Sequence, residues 1–268
     1  MKSAFRGILA LLVTSSVLVP NFSAQAQVPT ATTHKCNLSA TATTVANTPG
    51  KCTILFIGDS LGNNLGMGSI YQLKGTPGLQ VVNVSRGSTG LSNSWFYNWP
   101  EKLPGILAHY KPDLVVVFFG ANDHQDMRSH GSNLHFGSKA WATAYSGEVK
   151  KIVSASTKSG AQVAWFGMPS MRSIAFSNYM KTLNKTVQTV VPAAKNSTYI
   201  PTWDFLSTSR GKFLEYGNVN GSRQRIRGED GIHFSTVGQQ VLGTFATAKI
   251  AEIYHVKLVA LHAKRLTK

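Results

Sequence analysis

The chain contains a short apolar run that stops at a glycine and a polar turn. Residues 54–57 are Ile-Leu-Phe-Ile, and they lead directly into Gly58-Asp59-Ser60. A short apolar run of this kind is typical of a buried parallel strand that ends at the carboxyl edge of a sheet. Open α/β sheets bind their ligands at that edge, so Ser60 lies where chemistry is expected. The alternative is a simple turn and helix cap, because Asp and Ser are frequent N-cap residues.

Two further polar motifs could supply partners for this serine. A second apolar run, residues 115–119, is followed by Asn122, and Asp230 and His233 lie three residues apart near the other end of the chain. A nucleophilic serine needs a base, and the base needs an acceptor that fixes its tautomer. A side-chain amide at a strand end is a candidate oxyanion donor. Asp204 also follows a predicted strand and competes with Asp230 for the acceptor role, although a cap for the next turn is the favoured interpretation of Asp204.

In order and spacing these motifs resemble the four blocks of the SGNH (GDSL-type) hydrolases, over about residues 51–255. The matching segments are Gly58-Asp59-Ser60, a glycine after the second predicted strand, Gly120-Ala121-Asn122-Asp123 and Asp230-Gly231-Ile232-His233. The resemblance implies that Ser60 is the nucleophile, His233 the base and Asp230 the group that orients the base. It also implies an oxyanion hole formed by the Ser60 N–H, Asn122 and a glycine, for which the spacing leaves both Gly87 and Gly90 open.

Several side chains next to these blocks are candidates for substrate contact. Aromatic faces stack on the apolar sides of sugar rings but also fill cores, so Trp95 and Trp99 could serve either purpose. Arg223, Arg225 and Arg227 alternate along an extended segment and should project to one side, where they could hold an anionic group. The full set expected to contact substrate is Asp59, Trp95, Trp99, Asp123, His124 and Arg227. The run Ser88–Leu91, Trp99-Pro100 and Arg227 resemble an exported bacterial subgroup of the family.

Apolar strand patterns alternate with helical patterns along the chain, which predicts a parallel sheet with helices on both faces. With the resemblance, the expected fold is a three-layer α/β/α sandwich with a five-stranded parallel sheet, of the flavodoxin-like SGNH type. The strands are predicted at residues 53–57, 79–84, 114–119, 161–166 and 198–201, and the helices at about 67–73, 101–109, 140–159, 178–190 and 236–254. Residues 211–228 are predicted to be an irregular excursion and residues 256–268 a fraying basic tail.

The N-terminus has the pattern of a secretory signal peptide. Lys2 and Arg6 precede an apolar run, and residues 23–26 provide a small-x-small cleavage site, so residues 1–26 are expected to be removed. An uncleaved membrane anchor is the alternative, but the run is too short and too interrupted for one. Residues 27–50 are predicted to be a flexible arm before a hydrolase domain at 51–255. The expected location is the periplasm or the exterior.

The two cysteines, Cys36 and Cys52, lie on either side of a segment without periodicity. In an oxidising compartment such a pair is typical of one disulfide that attaches an N-terminal arm to the first strand. Two unpaired thiols are the alternative interpretation. A zinc site made from two cysteines alone is not expected, because structural zinc sites normally have four protein ligands.

The charge of the chain limits its partners. Without Lys2 and Arg6, the chain has 25 basic and 11 acidic residues, a formal charge of +14. Such a charge favours anionic polymers or headgroups of a cell envelope. Export and the absence of a nucleic-acid motif argue against nucleic acid.

No cofactor or metal is expected, although one loop is rich in acids and histidines: Asp123, His124, Asp126, His130 and His135. Their spacing matches no strong ligand pattern, so a solvated polar loop is favoured.

Together these features predict an exported serine esterase that acts through an acyl-serine intermediate. The expected substrate is a carbohydrate ester, with an O-acetyl group on an envelope polymer or exopolysaccharide as the favoured case. A sugar hydroxyl as acceptor would make the protein an O-acyltransferase. The first alternative is a polysaccharide-binding or assembly protein without turnover. The second is a phosphate-ester hydrolase, which the arginines would suit but which usually needs a metal.

Overall fold

The structure is a computed structural model that describes residues 52–129 and 131–267. Five helices and ten strands alternate along this part of the chain. In chain order they are β1 Cys52–Gly58, α1 Ser60–Leu73, β2 Leu79–Asn83, α2 Trp99–Tyr110, β3 Leu114–Phe118, β4 Met127–Ser129, β5 Ser132–Leu134, α3 Lys139–Lys158, β6 Gln162–Phe166, α4 Ile174–Val190, a 3-10 turn at Val191–Ala193, β7 Ser197–Ile200, β8 Tyr216–Val219, β9 Ser222–Arg225, α5 Thr236–Tyr254 and β10 Leu266–Thr267.

The central sheet has the strand order β2-β1-β3-β6-β7, and all its neighbouring strands are parallel. From β1 the chain goes to one side to form β2 and then crosses to the other side to form β3. The order therefore reverses between β1 and β3, and α/β sheets of this type bind ligands outside the carboxyl ends of the strands at that point. The prediction of a five-stranded, flavodoxin-like parallel sheet is confirmed.

Burial explains why the central strands consist almost entirely of apolar residues. Every residue of β1 and β3 is buried, because helices cover both faces of the sheet. Helix α1 packs against α5, whereas α2 packs against α3 and α3 against α4. These two groups of helices cover the two faces and complete the three layers that the sequence predicts.

Helices α1 and α5 approach each other unusually closely because two glycines meet between them. A methyl group on Gly68 would collide with the carbonyl oxygen of Gln239, and one on Gly243 would collide with the backbone of Gly68. The two glycines lie at similar distances from the starts of their helices. The close contact therefore holds these two starts, at Ser60 and at the N-cap Ser235, beside each other at the carboxyl edge of the sheet.

Two predicted irregular segments are ordered parts of the fold. Strands β8 and β9 form an antiparallel hairpin within the predicted excursion 211–228. The prediction of a fraying tail at 256–268 is wrong, because β10 pairs with β8. The side chain of Gln72 on α1 donates to the His262 carbonyl oxygen and accepts from the His262 N–H, at 3.1 and 3.0 Å. Asn220 in the hairpin turn accepts a hydrogen bond from the Arg265 N–H at 2.9 Å. These bonds fix the tail against α1 and the hairpin.

Helix α1 begins at Ser60 rather than near residue 67, because the Asp59 side chain accepts from the Leu61 and Gly62 N–H groups and caps it. The remaining element boundaries agree with the predictions to within a few residues, except at the start of α4. This helix begins at Ile174 rather than near residue 178, because the Ser173 hydroxyl accepts from the Phe176 N–H and caps it. Within residues 52–129 and 131–267, no helix has both the length and the apolar character needed to cross a membrane. The predicted signal peptide, flexible arm and Cys36–Cys52 disulfide involve residues 1–50, which lie outside the described residues.

Candidate active site

The structure brings Ser60, His233 and Asp230 into one hydrogen-bonded series. Ser60 begins α1 directly after β1, and His233 lies in the loop that leads into α5. The Nε2 atom of His233 is 2.7 Å from the Ser60 hydroxyl oxygen, and its Nδ1 atom is 2.5 Å from Oδ2 of Asp230. An ionised carboxylate only accepts hydrogen bonds, so Nδ1 has the proton and Nε2 is left to accept the proton of the serine.

Asp230 is held in its ionised form. Partial burial raises the pKa of this carboxyl. The hydrogen bond from the His233 side chain, the backbone N–H groups of Ile232 and His233, and the attraction of the imidazole outweigh that effect and lower the pKa to about 2. The two N–H groups donate to Oδ1 at 2.8 and 3.0 Å, while Oδ2 faces the ring. One carboxylate therefore both closes the loop and orients the imidazole.

The loop that contains His233 is also attached to α1. Asn64 accepts a hydrogen bond from the Phe234 N–H at 3.1 Å, and it lies four residues after Ser60, about one helical turn further along α1. At the other end of the loop, the Gly228 N–H donates to the His233 carbonyl oxygen at 2.7 Å. These contacts tie the position of the imidazole to the helix that begins at the serine.

Asn122 lies after β3, next to the end of β1 in the sheet. Its side-chain nitrogen donates to the Thr89 carbonyl oxygen at 2.8 Å. A primary amide has two N–H groups, so this bond fixes the side chain and leaves one donor for another acceptor. The Thr89 hydroxyl accepts from the Trp99 indole and donates to the Arg86 carbonyl oxygen, which fixes the loop that supports Asn122.

The structure places Gly87 and Gly90 in different surroundings. The Arg86 N–H donates to the carbonyl oxygen of Gly58, so Gly87 follows directly beside the turn that contains Ser60, and it is exposed. Gly90 is buried, and a methyl group there would collide with the carboxylate of Asp123. A close approach of another group thus explains why residue 90 is a glycine.

Asp59 does not reach a substrate, contrary to the expectation from the sequence, because its side chain is fully buried. Its Oδ1 atom accepts from the Leu61 and Gly62 N–H groups, and its Oδ2 atom accepts from the Gly120 and Ala121 N–H groups. This carboxylate joins the start of α1 to the loop after β3, and so it connects the turn of Ser60 to the loop of Asn122.

Asp59 should make the stability of the protein decrease as pH rises from about 4 to 6. Burial raises the pKa of this carboxyl from 3.8 to about 6, against the lowering effect of its backbone hydrogen bonds. Between those pH values the folded chain binds more protons than the unfolded chain. The comparison is the difference between the free energy of unfolding of the wild type and that of Asp59→Asn. This difference should decrease by roughly 3 kcal/mol from pH 4 to pH 6. Urea unfolding at a series of pH values measures this difference; a difference independent of pH would contradict the assignment.

Asp123 is likewise a buried support and not the substrate contact that was expected. Its carboxylate accepts from the backbone N–H and the hydroxyl of Ser92 at 2.8 and 2.9 Å, and from the Tyr145 hydroxyl at 2.8 Å. Burial raises the pKa of Asp123, and the Ser92 and Tyr145 hydrogen bonds lower it. Asp123 joins the loop of Asn122 to the loop after β2 and to α3.

The two tryptophans expected at the surface have different environments. Trp95 is 82% exposed and packs edge-on against Phe96, which is also exposed. Trp99 is fully buried, so the expectation that it contacts substrate is wrong: its ring packs edge-on against Phe119, and its indole N–H donates to Thr89. It begins α2 and faces the core.

His124 is exposed and lies two residues after Asn122, and its contact with substrate stays a prediction. Its ring stacks on Tyr179 of α4, with centroids 5.3 Å apart, and its Nδ1 atom lies 3.1 Å from the Ala121 carbonyl oxygen. Two other members of this loop contact each other instead: Asp126 pairs with His135 at 2.8 Å. Among the residues that the structure describes, no three His, Cys, Asp or Glu side chains are grouped as a metal site would require. His130 is not among those residues.

Arg227 is fully buried and so cannot contact a substrate as expected. Strand β9 ends at Arg225, and Arg227 forms a single bridge with Phe234. Arg223 and Arg225 lie over the exposed ring of Tyr216, as the alternating pattern predicts, whereas the guanidinium of Arg227 turns inward.

Sequence reasoning missed three residues that support the site: Asn64, Thr89 and Tyr145. Asn64 could have been identified by its spacing of four from Ser60, which is about one helical turn. Tyr145 lies within the predicted helix 140–159, but a sequence does not show where a buried hydroxyl finds its partner. Thr89 lies in the run Ser88–Leu91 and next to one of the two candidate glycines, but nothing in the sequence indicates that its hydroxyl supports Asn122.

The comparisons with known proteins show the family and the fold of this chain. A family model described as a protein of unknown function (DUF459) matches residues 53–249. A search of curated protein sequences found no match. Among solved structures, a GDSL-like lipase from Bacteroides thetaiotaomicron is 14% identical, with a TM-score of 0.54 over 82% of this chain and 99% of that one.

Two further structures are similar to the same degree. A catalytic mutant of an acetylxylan esterase from Geobacillus stearothermophilus is 15% identical, with a TM-score of 0.53 over 75% of this chain and 95% of that one. The esterase EstA from Pseudoalteromonas is also 15% identical, with a TM-score of 0.51 over 76% and 98% of the two chains. At such identities the likeness shows the fold. The chain therefore belongs to the DUF459 family and has the fold of the SGNH hydrolases.

Proposed function

We propose that the protein is a serine ester hydrolase that acts through an acyl-Ser60 intermediate. The observation that supports this most strongly is the series Asp230–His233–Ser60, in which both hydrogen bonds of the imidazole have the geometry that nucleophilic catalysis needs. The series lies at the carboxyl edge of the sheet beside its switch point, where α/β proteins bind ligands.

In the proposed reaction, the Ser60 hydroxyl oxygen attacks the ester carbonyl carbon while Nε2 of His233 takes its proton. The tetrahedral intermediate collapses, the imidazole returns the proton to the leaving alkoxide, and an acyl-serine remains. Water, activated by the same imidazole, then attacks the acyl-serine and releases the carboxylic acid. Asp230 stays ionised throughout and stabilises the imidazolium, consistent with its pKa of about 2.

Three N–H donors are proposed for the oxyanion: the Ser60 and Gly87 backbone N–H groups and the Asn122 amide. Gly87 is preferred over Gly90 because the Gly90 N–H points away from the Asn122 amide. The Asn122 side chain donates to the Thr89 carbonyl oxygen, and the peptide between Thr89 and Gly90 is trans, since the described chain has no cis peptide bonds. In a trans peptide the N–H points opposite to the carbonyl. Gly87 is exposed beside the Ser60 turn.

Replacing Asn122 by alanine should lower kcat for p-nitrophenyl acetate by about 10²- to 10³-fold, because the loss of one oxyanion donor has an effect of that size. KM should change little, since the donor acts mainly on the developing charge. Steady-state kinetics of Asn122→Ala measure the effect, and Asn218→Ala, an exposed asparagine on β8, is the matched control. A wild-type kcat in the Asn122 variant would exclude the amide from the oxyanion hole.

We further propose that the natural substrate is an O-acetylated carbohydrate of a cell envelope or exopolysaccharide. The exposed ring of Trp95 supports this, because aromatic faces stack on sugar rings. The formal charge of +14 for residues 27–268 favours an anionic polymer, and the signal-peptide pattern favours a periplasmic or secreted location. An acetylxylan esterase is among the structures with the same fold.

The test compares acetate release from p-nitrophenyl acetate, from acetylated xylan and from an acetylated acidic polysaccharide, with p-nitrophenyl palmitate as the lipid-like alternative. A carbohydrate esterase should prefer the polymers and lose that preference, but not its activity on p-nitrophenyl acetate, when Trp95 is replaced by alanine. Adding an oligosaccharide acceptor and analysing the products by mass spectrometry distinguishes hydrolysis from acyl transfer. If no ester of any class is cleaved, the alternative of a non-catalytic polysaccharide-binding protein replaces this proposal.

A further inference from the structure

Arg227 places a fully buried guanidinium beneath the loop that contains His233. Its two terminal nitrogens donate to the Ser170 and Ile232 carbonyl oxygens, each at 2.7 Å. The rings of Phe213 and Phe234 lie 4.8 and 4.7 Å from its central carbon. The side chain thus connects three parts of the protein: the loop after β6, the segment before β8 and the loop that precedes α5.

The stability of the fold does not explain an arginine at this position. No carboxylate among the described residues forms an ion pair with Arg227, and its Nε atom has no hydrogen-bond partner there. Burial lowers the pKa of Arg227 to about 9, although the charge of Asp230 acts in the opposite direction. A buried guanidinium costs desolvation free energy that an apolar side chain of similar volume would not, so the hydrogen bonds of Arg227 are what distinguish it from an apolar residue here.

The contacts of Arg227 indicate what it does. Ile232, whose carbonyl oxygen it binds, immediately precedes His233. The backbone on either side of Arg227 pairs with the backbone around Phe234: the Gly228 N–H donates to the His233 carbonyl oxygen at 2.7 Å, and the Ser235 N–H donates to the Ile226 carbonyl oxygen at 3.0 Å. The Arg227 side chain therefore holds the residue before the histidine, its two neighbours hold the histidine carbonyl and the residues after it, and Ser170 anchors the guanidinium to the loop after a sheet strand. An error of 1 Å in the position of a catalytic group can lower the rate about 10²-fold.

We propose that Arg227 is a positioning residue that sets the place of the His233 imidazole relative to Ser60. The proposal rests on the acyl-transfer function proposed above. The guanidinium does not touch the reacting atoms; it fixes the Ile232 carbonyl, and through the backbone it fixes the ring that exchanges the proton with the serine. Two hydrogen bonds in a planar fork achieve this, which a lysine ammonium reproduces only in part.

The variants Arg227→Met and Arg227→Lys test the proposal against Arg223→Met, which removes the same charge from an exposed position on β9. Arg227→Met should lower kcat for p-nitrophenyl acetate about 10²-fold with little change in KM. Arg227→Lys should recover part of the loss, and Arg223→Met should match the wild type. Melting temperature and near-ultraviolet circular dichroism show whether each variant is folded.

A readout independent of turnover is the proton NMR signal of the His233 Nδ1–H group that faces Asp230, identified by its absence in His233→Ala. Positioning by Arg227 predicts that this signal shifts or broadens in both Arg227 variants and not in Arg223→Met. If Arg227→Met does not fold, Arg227→Lys decides the matter. A folded Arg227→Lys with wild-type kcat and an unshifted signal would overturn the proposal. Ser60→Ala, assayed in parallel, separates the two hypotheses, because full activity in that variant would contradict the acyl-serine mechanism instead.

Discussion

Alanine in place of Ser60 or His233 should lower kcat for p-nitrophenyl acetate by about 10⁶-fold, the size of effect known when a serine nucleophile or its base is removed. The two variants should lose similar amounts, because the hydroxyl and the imidazole act as a unit through their 2.7 Å contact. The double variant should be little worse than either single one. Stopped assays with concentrated enzyme and a long time course measure the residual rate.

The matched controls are Ser209→Ala and His109→Ala, both exposed and outside the hydrogen-bonded series. They should retain wild-type kinetics. The Ser60 and His233 side chains have no role in the core, so both variants should melt near the wild-type temperature. If Ser60→Ala keeps more than a small fraction of the wild-type rate, another nucleophile performs the reaction. Intact protein mass spectrometry after a reaction with an organophosphonate would then identify that residue.

Replacing Asp230 by asparagine should lower kcat by about 10⁴-fold while leaving the fold intact, as when the acid of a Ser-His-Asp site becomes an amide. The reason is the tautomer of His233. An amide nitrogen at the position of Oδ2 donates to Nδ1, so the imidazole proton moves to Nε2 and the ring no longer accepts from Ser60. Both kcat and kcat/KM should decrease by the same factor, and KM should not change, because substrate does not contact this carboxyl in the proposed mechanism.

Asp204→Asn is the matched control for this change, since Asp204 is the other aspartate that the sequence allows as a partner of the histidine. It should have wild-type activity, because Nδ1 of His233 faces Asp230 at 2.5 Å. The reverse result, an inactive Asp204 variant and an active Asp230 variant, would show that the acceptor has been assigned wrongly. Equal and partial losses in both variants would indicate that two carboxylates share the role.

Much of the fold could be predicted from the sequence because its signals are local. The runs at residues 54–57 and 115–119 are apolar throughout, and burial on both faces is the reason. Asp230 and His233 are three residues apart, so one loop can hold both in contact. In each case the residues that form the pattern in the sequence are also the ones that are buried or in contact in the structure. Their short-range spacing was therefore enough to predict the arrangement.

The predictions that failed depend on which way a side chain faces. Asp59 and Asp123 belong to the motifs that resemble the family, yet both are buried supports whose partners are backbone N–H groups and hydroxyls from distant segments. Trp95 and Trp99 lie in one aromatic stretch, so the neighbouring residues do not distinguish them. Trp99 begins α2 and is buried, whereas Trp95 lies before the helix and is exposed. The two-residue strand β10 is too short to have a periodic pattern, so its pairing with β8 had no signal in the sequence.

The contact between Gly68 and Gly243 has a consequence for how the protein is made. A ribosome releases the segment with β1, Ser60 and α1 well before α5, because most of the described chain lies between them. Contacts between such distant segments form late, because closing the chain between them costs entropy. The nascent chain therefore has the serine without its base until the loop with His233 has emerged. Products that terminate before α5 should be inert, and catalytic competence should appear in a single step near the end of folding.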